Sequence, residues 1–297
     1  MYNIMIRTDS SFTIGTGHIM RDLVLAQQFS KSNISFATLN LDGNINYKIT
    51  DAGYKLSDLK NSSIDEIIKL IKKEKIDLIV IDHYDIDYTF EKELKIIFPL
   101  LRIMVIDDTY EKHYSDILLN HNIYANKKKY KGKVPQHCEL RCGSKYTLLR
   151  EEFIIEKKKK KKYSKNQFKN KILVSLGGTD NYNLNIKILN LLKSKSNISV
   201  DLVTTTANCN IIILKQFCKN KKWITLHINT NKMAQLMNTN NLAIVTPSVI
   251  VNEAYFMEIP FIAIKVSKNQ NEMFLFLKKN KFKTLDKSKL FKLKELI

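Results

Sequence analysis

Asn3-Ile4-Met5-Ile6-Arg7-Thr8, the loop Ile14-Gly15-Thr16-Gly17-His18 and the stretch 18–30 that follows it decide the fold. The first six residues form a short, largely apolar run and predict a strand. The stretch 18–30 carries Ile19, Leu23, Leu25, Ala26 and Phe29 at helical spacing and predicts a helix. Outward from this unit the pattern repeats. Ile34–Leu39 reads as a second strand, Ile64–Glu74 as a helix leading into the apolar run Ile76–Ile81, and Tyr88–Phe98 as a helix leading into Leu101–Ile106. A largely apolar run of this length reads as a strand buried on both faces. Strand and helix in turn predict a parallel sheet with helices on both sides.

The alternation stops at six consecutive lysines, 157–162, followed by Tyr163-Ser164-Lys165-Asn166-Gln167. Like charges in a block repel and stay solvated, so the run reads as an interdomain linker or an exposed helix end. The rhythm then restarts. Lys171–Leu176, Ile198–Val203, Trp223–His227, Leu242–Val245 and Phe261–Ile264 read as strands; Leu184–Leu192, Asn210–Lys219, Lys232–Asn238 and Val249–Met257 read as helices between them. A chain of 297 residues suits two domains. The expected organisation is an α/β protein of two Rossmann-like domains facing a cleft: residues 1–156, a lysine-rich linker 157–170, and residues 171–297. The lysine-rich stretch from Thr284 to Ile297 reads either as a helix packed back on the first domain or as a frayed tail. Ligands of such folds sit at the carboxyl ends of the strands, so the loops after each strand hold the candidates.

Composition excludes several classes. Hydrophobic residues are 44% and charged residues 26%, as in an ordinary globular protein. No apolar run nears the roughly 20 residues of a bilayer span, and the N-terminus does not read as a secretion signal, so a cytoplasmic protein without membrane insertion is expected. The formal charge of +20 would suit nucleic acid, but lysine, asparagine and isoleucine are abundant throughout and no aromatic platform accompanies the charge. No nucleic-acid partner is expected; a positive field also favours a phosphorylated small molecule. The four cysteines give no disulfide framework, and His137, Cys138 and Cys142 lack the second close pair of a zinc site. The expectation is a monomer with no cofactor and no metal.

Only eight glycines occur, and four lie in the loops after the first strand of each half: Gly15 and Gly17, and Gly177 and Gly178 in Leu176-Gly177-Gly178-Thr179-Asp180. Each loop opens a helix whose free N–H groups favour an anion, although a plain tight turn explains either loop alone. A nicotinamide fingerprint fails, because Met20 stands at the third glycine position. His18 follows the glycines and is either a capping residue or a base with a pKa suited to neutral pH. Asp82-His83-Tyr84 and Asp107-Asp108 follow strands, where carboxylates cap helices, orient a base or bind metal. Asn120 either orients a sugar or sits in a surface turn. Thr246-Pro247-Ser248 with Asn252-Glu253 suits a diphosphate at a helix start and a ribose on the carboxylate; the plain alternative is a serine cap and an exposed glutamate.

Taken in order, Arg7–Ser11, Ile14–Leu23, Ile81–Tyr84, Asp107-Asp108, Asp116–Asn120, Arg141–Gly143, Arg150–Phe153, Gly177–Asp180 and Val251–Ala254 resemble the UDP-2,4-diacetamido-2,4,6-trideoxy-β-L-altropyranose hydrolases of pseudaminic acid biosynthesis. That family is similar in fold to the GT-B glycosyltransferases. The resemblance implies metal-free hydrolysis of a UDP-sugar, with His18 as general base on the attacking water and inversion at C1. Substrate contacts are expected at Asp9, Gly15, Gly17, Arg21, Asp82, Tyr84 and Asn120 in the first half. In the second they fall on Gly177, Gly178, Thr179, Ser248, Asn252 and Glu253. Asp9 or Asp82 would orient His18. Pro247 departs from the run of small hydroxyl residues expected there and removes one N–H donor. The alternatives are a GT-B glycosyltransferase with a UDP-sugar donor and a non-catalytic basic binding protein.

Overall fold

The computed structural model describes residues 1–159, 170–195 and 197–297. The chain divides into two compact units, Met1–Leu148 and Leu149–Ile297. In the first, β1 (Tyr2–Thr8), α1 (Gly17–Gln27), β2 (Ser32–Leu39), α2 (Tyr47–Asp51), β3 (Lys55–Leu59), α3 (Ile64–Glu74), β4 (Leu78–Asp82), α4 (Tyr88–Ile97), β5 (Arg102–Ile106), β6 (Ile117–Asn120) and β7 (Glu139–Cys142) build one parallel sheet of order β3-β2-β1-β4-β5-β6-β7. β4 is buried along its whole length. Leu78 and Val80 join Ile4, Ile6 and the α1 residues Ile19, Val24 and Leu25 on one face. Ile79 and Ile81 join Met5, Ile67 and Ile71 of α3 and Leu94 of α4 on the other. Each such side chain removed from water is worth roughly 1.5–3 kcal/mol, so successive residues of one strand anchor opposite helix layers.

The second unit opens with α5 (Glu151–Lys159) and continues through β8 (Lys171–Ser175), α6 (Leu184–Leu192), β9 (Ser199–Thr204), α7 (Ile211–Cys218), β10 (Ile224–Ile228), α8 (Met233–Thr239), β11 (Leu242–Val245), α9 (Val249–Met257), β12 (Phe261–Lys265), α10 (Asn271–Lys279), β13 (Lys283–Asp286) and α11 (Leu293–Leu296). Its parallel sheet has the order β10-β9-β8-β11-β12-β13. In both sheets the strand order reverses beside the first strand, between β1 and β4 and between β8 and β11. Thr8 there pairs with Asp82, and Ser175 with Val245. The loops that leave these paired ends are where a doubly wound sheet takes its ligand.

Two expectations meet a different structure. The division falls at Leu148 rather than within the lysines, because α5 packs on α8 and α9 and buries Phe153 completely. Lys157–Lys159 form the last turn of α5, where their charge suits the helix dipole, and Lys157 Nζ donates to the Phe256 carbonyl at 2.7 Å. The rest of the expected linker, apart from Asn170, lies outside the described residues. The C-terminal stretch is not a frayed tail: β13 adds an edge strand beside β12, and Leu293 is buried in the second unit's own core.

Candidate active site

In the first unit, β1 hands the chain to a loop whose Ser11 and Gly15 pair as an antiparallel bridge. Ser11 Oγ accepts from the N–H groups of Thr13 and Ile14, and Gly15 turns the backbone through φ +86°. Thr16 begins α1 without capping it, no acidic residue stands in the first turn, and nothing lies within 4 Å of where a Cβ on Gly17 would be. The helix therefore starts with open amides and open space, as an anion site requires.

His18 and Arg21 lie three residues apart on one side of α1, against the end of β4. The Arg21 guanidinium grips Asp82 with two bonds, Nε to Oδ2 at 2.6 Å and Nη2 to Oδ1 at 2.5 Å, and reaches Asp108 Oδ2 with Nη1 at 3.1 Å. Asp108 in turn accepts the Tyr84 hydroxyl at 3.0 Å. Tyr84 meets the His18 ring edge to face at 4.9 Å, and His18 Nδ1 stands 4.0 Å from Asp82 Oδ1. The five side chains close a ring drawn from α1, β4 and the loops after β4 and β5.

Burial sets the charges of this ring. His18 is only 6% exposed, and its Nδ1 is both buried and without a hydrogen bond. Desolvation lowers its pKa below the ordinary value while Asp82 pulls the other way, so the imidazole is neutral near pH 7, with a nitrogen free to accept a proton. Burial works to raise Asp82, but Arg21 outweighs it and holds the carboxyl below the usual range. Two further groups surround the pair. Asp22 is fully buried with neither oxygen hydrogen-bonded, and burial and the nearby Asp82 push its carboxyl well above the ordinary range. His121, after β6, is equally buried; desolvation pushes it down to about 3, so it stays neutral.

Asp9 does not join this ring. Its carboxylate accepts from the fully buried Arg7 at 2.8 Å, from His83 Nε2 at 3.0 Å and from the Leu39 amide at 2.7 Å. Of the two carboxylates expected to orient His18, Asp82 is the one beside it. Asn120 is also committed elsewhere: it is buried, donating to the Tyr130 hydroxyl at 2.9 Å and accepting from Asn122, so it sits in neither a surface turn nor an open subsite. Tyr130 donates onward to Asp107 at 2.7 Å, and Asp107 also accepts from the amides of Thr109 and Tyr110. That fixes the turn carrying Asp108. Behind it, His113 lies between Glu91, 2.7 Å from Nδ1, and Asp107, 4.0 Å from Nε2. Burial opposes its charge, but the two acids raise His113 to about 9.

In the second unit the loop after β8 turns through Gly177 at φ +92°, and a Cβ on Gly178 would come within 3.0 Å of Thr205 Oγ1. Thr205 Oγ1 donates to the Gly178 carbonyl, so the glycine loop rests on the loop after β9. Thr179 is exposed at its tip, and its carbonyl accepts the Cys209 amide. The α6 start is not open as the sequence suggests: Asp180 takes the amides of Leu184 at 2.7 Å and Asn185 at 3.1 Å. The open start is that of α9. Ser248 makes no cap bond and shares its hydroxyl with Thr246 at 3.1 Å, and no acid stands in the first turn. Asn252 and Glu253 follow, both buried; Glu253 Oε1 accepts from Arg150 Nη2 at 3.0 Å. Both halves of the plain alternative, a capping serine and an exposed glutamate, are thus absent at these positions. Among the described residues no three His, Cys, Asp or Glu side chains stand together as metal ligands, and no helix is long and apolar enough to cross a membrane.

No family model matches the chain. Among curated proteins, the UDP-2,4-diacetamido-2,4,6-trideoxy-β-L-altropyranose hydrolase of Campylobacter jejuni is 41% identical over 278 residues, covering 93% of this chain and 96% of that protein. The chain belongs to this hydrolase family. An uncharacterised protein of Methanocaldococcus jannaschii is 32% identical over 280 residues, 91% of this chain, which spans 57% of that protein's length. Among solved structures, the MurG protein of Acinetobacter baumannii superposes with a TM-score of 0.69 at 10% identity, covering 100% of this chain and 90% of its own. The spinosyn rhamnosyltransferase SpnG gives 0.64 at 9% identity over 94% of this chain and 84% of its own. That likeness is one of fold, and each unit of this hydrolase-family chain is a Rossmann-like domain of the GT-B type.

Proposed function

We propose that the chain hydrolyses UDP-2,4-diacetamido-2,4,6-trideoxy-β-L-altropyranose to UDP and the free diacetamido sugar, a step of pseudaminic acid biosynthesis, without a metal. Water is a poor nucleophile, so the reaction needs a base that is neutral at working pH and becomes a cation as water attacks C1. The observation that carries this reading is His18: buried and neutral, with the Asp82 carboxylate 4.0 Å from Nδ1 to favour the imidazolium as it forms. Nε2 is then the nitrogen that meets water. The name of the Campylobacter relative supports the substrate. A single displacement by water inverts C1.

UDP leaves with two charges that must be stabilised in place. The uncapped start of α9 suits the diphosphate, since unbonded amides and the helix dipole favour an anion; the start of α1, taken by itself, is open in the same way. In the second unit, Gly177, Gly178 and Thr179 are the loop against which the nucleotide lies, Ser248 meets a phosphate and Glu253 the ribose. Tyr84 and Arg21 hold the geometry around His18 and meet the sugar. The test is incubation of the purified protein with this UDP-sugar, with EDTA and no acceptor, following UDP and free sugar together. Equal release of both supports hydrolysis. No release without an acceptor would overturn it in favour of a transferase.

A further inference from the structure

Arg150 stands just before α5 and reaches across to α9. Its guanidinium is fixed on three sides: Nη1 lies 2.6 Å from Glu152 Oε1, Nη2 donates to Glu253 Oε1 at 3.0 Å, and the Phe153 ring lies 4.9 Å beneath its centre. Phe153 is itself fully buried, so the platform is rigid. Glu253 has one oxygen on Arg150, and among the described residues Oε2 has no hydrogen-bond partner. A carboxylate held by one oxygen, with the other unbonded and open to solvent, leaves an acceptor available to a ligand's donors.

We propose that Arg150 is a positioning residue for nucleotide recognition: it clamps Glu253 by one oxygen so that the other accepts the vicinal hydroxyls of a ribose. This rests on the nucleotide reading above and extends it to a residue outside the expected UDP contacts. Two consequences separate it from a mere tie between α5 and α9. Burial holds the Glu253 carboxyl above its ordinary range even with Arg150 opposing it, so losing Arg150 pushes it further toward the neutral form, which is poorer at receiving two hydroxyl donors. Lysine cannot replace it fully, since a single ammonium cannot serve Glu152 and Glu253 in a planar fork.

The experiment compares UDP with 2′,3′-dideoxy-UDP by calorimetry on the full chain, for wild type, Arg150→Ala, Arg150→Lys and Glu253→Gln. Wild type should prefer UDP by about ten- to a hundredfold, the range for a hydrogen bond to a charged acceptor. Arg150→Ala should lose most of that preference by weakening UDP alone, Arg150→Lys should keep an intermediate preference, and adding Glu253→Gln to Arg150→Ala should cost nothing further. If Arg150→Ala keeps the preference, or weakens both nucleotides alike, the positioning role is overturned. Should the alanine variant fail to fold, Arg150→Lys decides in its place, because a full wild-type preference in the lysine variant also overturns the role. A wild type that binds UDP without preferring the diol overturns this proposal alone; one that binds neither nucleotide overturns the nucleotide reading with it.

Discussion

Replacing Asp82 by asparagine removes the charge from a buried pair while keeping its shape. Arg21 is 5% exposed and spends two of its bonds on Asp82, leaving Asp108 at 3.1 Å as its other contact. Removing one partner of such a pair strands the other charge and costs about 3–5 kcal/mol. Asp22 offsets part of this: the Asp82 charge is one cause of its neutrality, so in the variant it can ionise beside Arg21. The lower end, about 3 kcal/mol, is therefore expected. Hydrogen exchange read by mass spectrometry resolves it within one molecule. Amides of β1 and β4 should exchange about a hundredfold faster, from a factor of ten per 1.4 kcal/mol, while those of β8 and β11 should not change and serve as the internal control. The same variant strips His18 of the carboxylate that raises its pKa, so the acid limb of kcat/KM should move to lower pH. A change below about threefold in β1 and β4 would refute the reasoning, because the pair would then not be the buried charge couple on which the site is built.

His113 is held protonated to about pH 9 against an ordinary 6.5, so its contribution is complete below about 6.5 and is lost as pH rises through 9. The first unit's urea midpoint should fall over that window by the equivalent of ~3 kcal/mol, and His113→Gln should abolish the slope; an unchanged slope would contradict the pairing with Glu91 and Asp107. Gly177→Ala forces a side chain into φ +92°, a strain of about 1–3 kcal/mol, and should weaken UDP binding in titration calorimetry while leaving β1 and β4 exchange unchanged. Undiminished UDP affinity would remove that loop from the nucleotide site.

The sheet cores were legible because their strands are buried on both faces and so appear as bare apolar runs, as in Leu78–Ile81. Among the strands that sequence reading passes over, β6 is a buried apolar run of only four residues, too short to stand out, and the other three are polar. β3 is Lys-Leu-Ser-Asp-Leu, β7 is Glu-Leu-Arg-Cys, and β13 is Lys-Thr-Leu-Asp at a sheet edge, where one row of backbone groups is unpaired and polar side chains are tolerated. In the site, position marked His18 and Asp82 only as candidates, directly after a glycine loop and at a strand end, and the family resemblance supplied their expected roles. The commitment of Asp9 was not, because it follows from Arg7, and an arginine that is wholly buried inside a strand looks in sequence like any solvated one. Asp180 escaped recognition as a cap because it stands four residues before α6, outside the usual N-cap position. Asp22 and His121 carry no sequence signal at all; their neutrality is a product of burial beside Arg21 and Asp82. Asp108 was visible only as one of a pair, and the fold decides that it, rather than Asp107, faces Arg21 and Tyr84.

The role of His18 as the base is central to the proposed reaction. It is tested most directly by the steady-state release of UDP from the diacetamido UDP-sugar by wild type and His18→Asn, with UDP affinity measured on both by calorimetry. A loss of turnover of about 10²–10⁴-fold is expected, the usual worth of a positioned general base, with UDP affinity unchanged. Turnover within about tenfold of wild type would contradict that role, because the proton would then be leaving water by another route.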